Sequence, residues 1–292
     1  MGTLRNPIEW SASQLGSASS HVAAINRAIH GTEATEPIIR KIELADLRSA
    51  FAAGVDDFET CRSDVMFIGL IYALAGAVLI WVLFHYPLLH LLFPAVTGFA
   101  LLGPVAAVVL SELSRRLEAG DRAGWISAAK DLGTATFGAI FLFGMALFGI
   151  FILWLLAAWG IWNVTLGPHA PATIGEFARQ VFFTMDGWLM IIFGAITGFV
   201  FALVVLSASV VTVPLLLDRN IGLRRAVATS FRVTMRNPVT ILLWGGMIGG
   251  ALLLGALPVF IGLIIILPVF GHATWHIYRA AIAWPEAAPD AL

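Results

Sequence analysis

The stretch VTILLWGGMIGGALLLGALPVFIGLIIILPVFGHATWHIY, Val239 to Tyr278, decides how many times this chain crosses a membrane. As one unbroken helix it would be about 60 Å long, twice the roughly 30 Å of bilayer hydrocarbon. Gly255-Ala256-Leu257-Pro258 supplies a break near its middle, where proline removes a donor from the helical ladder. The stretch therefore predicts two spans, 239–255 and 259–278. Four further apolar runs precede it, at 65–84, 88–110, 137–162 and 187–213, and none of the runs contains Asp, Glu, Lys or Arg. About 20 apolar residues suffice for a helical crossing. The expected fold is an all-α integral membrane protein with six transmembrane helices.

Composition points the same way. Of 292 residues, 59% are apolar and 12% charged, against about 25% charged in ordinary soluble domains. The mean hydropathy is +0.90. A net charge of −1 argues against an electrostatic grip on nucleic acid. The single cysteine, Cys61, excludes an internal disulfide framework. Residues 1–64 hold no signal-peptide core, so the N-terminus is expected to be retained.

Positive residues favour the cytoplasmic side. Of the 17 Lys and Arg, all but Arg179 fall in the N-terminal segment, the 111–136 and 214–238 connections, or the C-terminal end. Both termini are expected in the cytoplasm. The implied organisation has three parts: an N-terminal cytoplasmic segment 1–40, a membrane domain 41–284 and a tail 285–292. In the first part Ile8, Leu15, Val22, Ile25 and Ile29 fall on one face of either a weak amphipathic helix over 7–30 or a disordered tail with accidental periodicity.

Three patches preceding the odd-numbered spans resemble one another: Asp46–Gly54, Asp121–Ala129 and Gly222–Ser230. They suggest three units, each an interfacial helix followed by a membrane hairpin. Gly194-x-x-x-Gly198, Gly245-x-x-x-Gly249 and Gly246-x-x-x-Gly250 allow close helix packing. That packing is expected chiefly within the chain, with a dimer face as the alternative.

An ionisable group inside a bilayer is expensive and usually functional, so its absence from these spans argues against a carboxylate-based pump or hydrolase. No phosphate-binding glycine loop, nucleophile elbow or His-Glu-x-x-His helix is present. The polar residues gather at the cytoplasmic ends of the fourth and sixth helices: Ser207, Ser209, Thr212, Asp218, Arg219, Asn237, His272, Thr274 and His276. They form either a polar pocket or a set of caps and anchors. His272 and His276 stand four apart on one helical face, but no Cys, Asp or Glu accompanies them locally, and neither metal nor haem is expected. Arg224, Arg225, Arg232 and Arg236 are candidate contacts for anionic lipid head groups.

The run Val213-Pro214-Leu215-Leu216-Leu217-Asp218-Arg219, with Gly222, Ala226, Thr229-Ser230, Asn237-Pro238 and Trp244-Gly245, resembles a bacterial family. Its most specific part is Leu267-Pro268-Val269 followed by Gly271-His272-Ala273-Thr274-Trp275-His276-Ile277-Tyr278-Arg279. The resemblance, over roughly 38–282, includes Asp46-Leu47 and Asp56-Asp57-Phe58. It is to a mainly proteobacterial family of predicted multi-pass inner-membrane proteins of unknown function. Some members carry the label cytochrome c oxidase subunit I. Such a subunit has many more spans and histidines at haem depth, so no haem or copper ligand is carried over and no cofactor is expected. The resemblance implies a membrane protein without assigned chemistry. The expected role is a non-enzymatic binding or scaffold component of a larger membrane assembly, with a partner protein or a second copy. The alternative is a carrier or channel for a small or lipid-like solute.

Overall fold

The computed structural model describes residues 23–86, 88–121, 134–167, 173–258 and 260–285. Helix α1 (Leu44–Thr60) is followed by α2 (Arg62–His85), a 3-10 turn at Leu89–Leu91, α3 (Leu92–Ala100) and α4 (Gly103–Glu118). Next come α5 (Thr134–Thr165), α6 (Ile174–Phe183), α7 (Met185–Ser209) and α8 (Thr212–Asp218). The chain ends with α9 (Leu223–Arg236), α10 (Pro238–Ala256) and α11 (Leu263–Ala281). Two-residue strands β1 (Ile38–Ile39) and β2 (Ile282–Ala283) pair antiparallel. Residues 7–22 of the expected amphipathic helix, 122–129 of the second patch and 286–292 of the tail lie outside the described residues. Residues 23–30 are helical.

Local chemistry sets the boundaries. A capping box opens α1: the Glu43 side chain accepts from the third helical N–H, and Asp46 accepts from Glu43 N–H at 2.7 Å. Thr173 and Thr184 cap α6 and α7 by accepting from Glu176 N–H and Gly187 N–H. Pro238 occupies the first turn of α10, where its missing N–H costs nothing.

Five segments are long and apolar enough to cross a bilayer: Val65–His85, Leu89–Glu118, Thr136–Thr165, Met185–Asp218 and Pro238–Ala256. They cover the first five expected spans to within one residue. Two are broken, at Leu101–Leu102 ahead of Pro104 and at Val210–Val211 ahead of Pro214. Proline in the next turn removes the N–H that would have continued each ladder. The amphipathic helix α6 was not expected; ten residues make too short a run to register as a span.

The sixth expected span, 259–278, differs in bounds and character. A helix follows the turn after α10, but it covers Leu263–Ala281 and does not join the five long apolar segments. Its second half carries His272, Thr274, His276, Tyr278 and Arg279, which lower its apolarity. Protein replaces lipid around it: α11 packs most extensively on α1, then on α4 and α2. The expected interfacial patch in α1 is thus part of the core, burying Leu47, Ala50, Gly54 and Phe58 at helical spacing. A Cβ on Gly54 would stand 2.6 Å from the Ala273 Cβ, so only glycine admits this approach.

The N-terminal strand is clipped to the same end. Gly31 and Gly222 have φ of 68° and 75° and lie back to back. Thr32 and Glu33 N–H both donate to Asn220 O, at 2.8 and 3.0 Å. The β1–β2 pair then holds residues 38–39 beside 282–283, so both ends of the described chain meet at the arginine-bearing end of the bundle.

Candidate functional site

Seven of the nine polar residues singled out by sequence occupy four different places, and Ser207 and Thr212 pack in the core. One is a buried chain of hydrogen bonds linking α1, α4 and α11. His276 Nε2 lies 2.8 Å from Asp57 Oδ2, Ser114 Oγ lies 2.6 Å from the same oxygen, and His272 Nδ1 lies 2.8 Å from Ser114 Oγ. An ionised carboxylate only accepts. Ser114 therefore donates its single proton to Asp57 and accepts from His272 Nδ1–H, which leaves His272 Nε2 as the bare acceptor. Among the described residues that atom is buried without a partner. Burial alone would raise the Asp57 pKa, but the bonds from His276 and Ser114 outweigh it and hold the carboxyl below its usual range.

The order of groups matters chemically. A nucleophilic serine needs its proton aimed at a histidine that a carboxylate orients from behind. Here serine sits between the other two and is 1% exposed. The arrangement locks three helices together.

A second group lies at the end of α8. Tyr278 O–H donates to Asp218 Oδ2 at 2.5 Å and accepts from Trp284 Nε1–H at 3.2 Å. Arg219 stacks over the Trp284 ring at 4.9 Å and pairs with Glu33 at 3.8 Å. Asn237 forms the third: its Oδ1 accepts from Ile42 N–H at 2.9 Å, and its Nδ2 donates to Arg40 O and Val233 O, each at 3.1 Å. Ser207 and Thr212 are buried in the core, Thr212 bonded back to Ala208 O.

Ser209 and Thr274 occupy the fourth place, the wall of a cavity of about 470 Å³ between α3, α4, α7, α10 and α11. Its lining is almost wholly apolar, and Ser111 adds a third hydroxyl near the arginine-bearing end. Phe93, Phe199 and Leu253, all in the wall, are more than half exposed. The cavity therefore reaches the side of the bundle within the apolar spans.

The glycine motifs divide. A Cβ on Gly245 would meet Leu206 at 2.4 Å, and one on Gly198 would meet Trp154 at 3.0 Å, so these two serve packing within the chain. At Gly194, Gly246, Gly249 and Gly250 a Cβ would meet nothing within 4 Å. Intrachain packing thus accounts for only part of the pattern.

Of the candidate lipid contacts, Arg225 folds onto the N-terminal segment, donating to Glu33 O, to Thr35 O at 3.0 Å and to Glu36 at 3.2 Å. Arg232 reaches Glu36 and Thr229. Arg224 and Arg236 are exposed. Among the described residues no group of three or more His, Cys, Asp or Glu could hold a metal ion.

Sequence reasoning did not single out Asp57, Ser114, Glu112 or Glu118 as site residues. Glu112, 3% exposed, is clamped by Arg115 and Arg116, each through a nitrogen 2.8 Å away. Glu118 accepts from Trp275 Nε1–H at 2.8 Å and pairs with Arg279 at 2.9 Å. The available signal was the polar stripe Ser111, Ser114 and Glu118 on one face of α4.

Residues 91–218 match a family described as predicted integral membrane protein (DUF2189). The chain is a multi-pass integral membrane protein. The match runs from the turn before α3 to the end of α8, and leaves out α11 with its two histidines. No curated protein and no solved structure matches the chain.

Proposed function

We propose that the protein is a non-enzymatic binding component of the bacterial inner membrane that holds an apolar ligand between its helices. The observation that carries this reading is the apolar cavity of about 470 Å³, within the 300–1,000 Å³ typical of small-molecule sites. The polar groups offer no rival site, because His276, Asp57, Ser114, Asn237 and Tyr278 are engaged with one another or with backbone. α11 acts as a sixth, protein-sheathed crossing that returns the chain to the cytoplasm. The pairing of β1 with β2 and the gathering of Lys and Arg at one end support that orientation. Arg224 and Arg236 there face anionic head groups. The helices that precede the first and last hairpins pack on membrane helices, α1 on α11 and α9 on α7.

Native mass spectrometry of the protein extracted gently from its own membrane tests the reading. A lone chain retaining a lipid-like molecule supports it. A chain that retains nothing overturns it. A stoichiometric protein companion supports the second reading, a scaffold, which the open faces at Gly194 and Gly250 favour.

A further inference from the structure

The cavity has a direction. Along α10 its wall runs from Leu242 to Ala256, about 21 Å of helix rise. It is therefore a slot lying along the helices. Of its five hydroxyls, Ser111, Ser209 and Thr274 stand toward the arginine-bearing ends of α4, α7 and α11, whereas Tyr72 and Thr97 lie further along the slot and donate to Phe99 O and Phe93 O.

The state of those hydroxyls limits what they can hold. Thr274 Oγ1 donates to Phe270 O at 2.7 Å, and Ser111 Oγ donates to Gly271 O at 3.4 Å. Both protons are committed to the carbonyls of α11, and both oxygens keep lone pairs that can accept. Ser209 makes no side-chain hydrogen bond among the described residues, so its O–H is available to donate. Among the described residues the wall contains no Lys, Arg or His. A charged end group would lie in apolar surroundings without a counter-ion, which is strongly unfavourable. An uncharged group carrying both a donor and an acceptor fits.

Access is from the side. α7 and α10 meet where Leu206 fills the place of a Gly245 side chain, and the wall is open beside Gly246 and Gly249. The exposed wall residues Phe199 on α7 and Leu253 on α10 lie within apolar spans, so the opening faces lipid tails.

Resting on the binding reading above, we infer that the slot takes one long-chain fatty acid in its uncharged form. It enters sideways between α7 and α10, with its carboxyl group at Ser111, Ser209 and Thr274. A single tail matches a slot of this length and volume. The acid O–H donates to a hydroxyl oxygen, and the acid carbonyl accepts from Ser209.

The glycines supply the test. Gly249→Leu places a side chain in the slot from a position where a Cβ meets nothing, so the fold is left intact. Gly250→Leu makes the same change at an equally open position outside the wall. Delipidated protein is incubated with oleic acid, passed through size exclusion and weighed by native mass spectrometry. The wild type and Gly250→Leu are expected to retain one oleic acid per chain, and Gly249→Leu at least tenfold less. Gly246→Leu, also in the wall, replaces Gly249→Leu if the latter elutes as aggregate. Equal retention by all variants, or none by the wild type, overturns the inference. Native lipid extracts separate the two levels. If Gly249→Leu instead abolishes retention of a two-tailed phospholipid, the binding reading stands and the fatty-acid assignment fails. If no retained molecule depends on Gly249, both fail.

Discussion

Replacing Asp57 by alanine should loosen the whole arginine-bearing end of the bundle. The carboxylate receives two hydrogen bonds, from Ser114 at 2.6 Å and His276 at 2.8 Å. A bond to a charged group is worth about 1.5–3 kcal/mol net, so the pair sets an upper figure of about 6 kcal/mol. Asp57 and His276 side chains are 16% and 25% exposed, and water can reach them in the variant. The expected loss is therefore about 2–4 kcal/mol, somewhat below the roughly 3–5 kcal/mol for breaking fully buried charged pairs. Asp56 next to it is exposed, and Asp56→Ala should stay within about 0.5 kcal/mol of wild type. Reversible unfolding in mixed micelles, followed by far-UV circular dichroism, measures both. The pH dependence gives an independent check. The folded state holds the Asp57 pKa below its ordinary value. Its contribution is then fully present above the unfolded value near 3.9, and is lost as pH falls through the lower folded value. The difference between wild type and Asp57→Ala should shrink on acidification below about pH 4. Equal losses for Asp57→Ala and Asp56→Ala, or a difference that does not change with acid, would refute the lock.

Three other changes probe separate parts of the fold. Gly222→Ala combines a φ of 75° with a Cβ 2.3 Å from the His30 carbonyl carbon; it should release residues 23–36 from the bundle and speed tryptic cleavage after Arg27. Asn237→Ala removes three hydrogen bonds and orphans the buried Ile42 N–H, so a loss of about 2–3 kcal/mol is expected by the same unfolding measurement. Glu112→Gln removes the charge that Arg115 and Arg116 share, with an expected loss of about 3 kcal/mol. A melting temperature unchanged in Glu112→Gln would count against that clamp.

The crossings were legible because hydropathy acts locally. Each run from Val65 to Ala256 declares its preference for lipid without reference to any other part of the chain. α11 was harder, since its polar residues carry no sign of whether lipid or protein will surround them. The answer lies in α1, more than 200 residues away, whose spacing of Leu47, Ala50, Gly54 and Phe58 matches any amphipathic helix. Position relative to a membrane surface and position inside a bundle leave the same periodic trace.

The polar groups show the same limit more sharply. Sequence placed His272 and His276 together because four residues make one helical turn. It could not supply Asp57 and Ser114, whose separations from their histidines are set by tertiary packing. Once those partners are known, the nine polar residues no longer form one pocket, because nearly every donor among them has a closer use. What is left for a ligand is the space they do not fill, bounded by apolar walls and by glycines at which a side chain would touch nothing. Residues at such a site are selected for what they lack, and a glycine spaced for close packing reads the same as a glycine spaced to keep a slot open. Only the position of Leu206, against Gly245 and away from Gly249, separates the two roles.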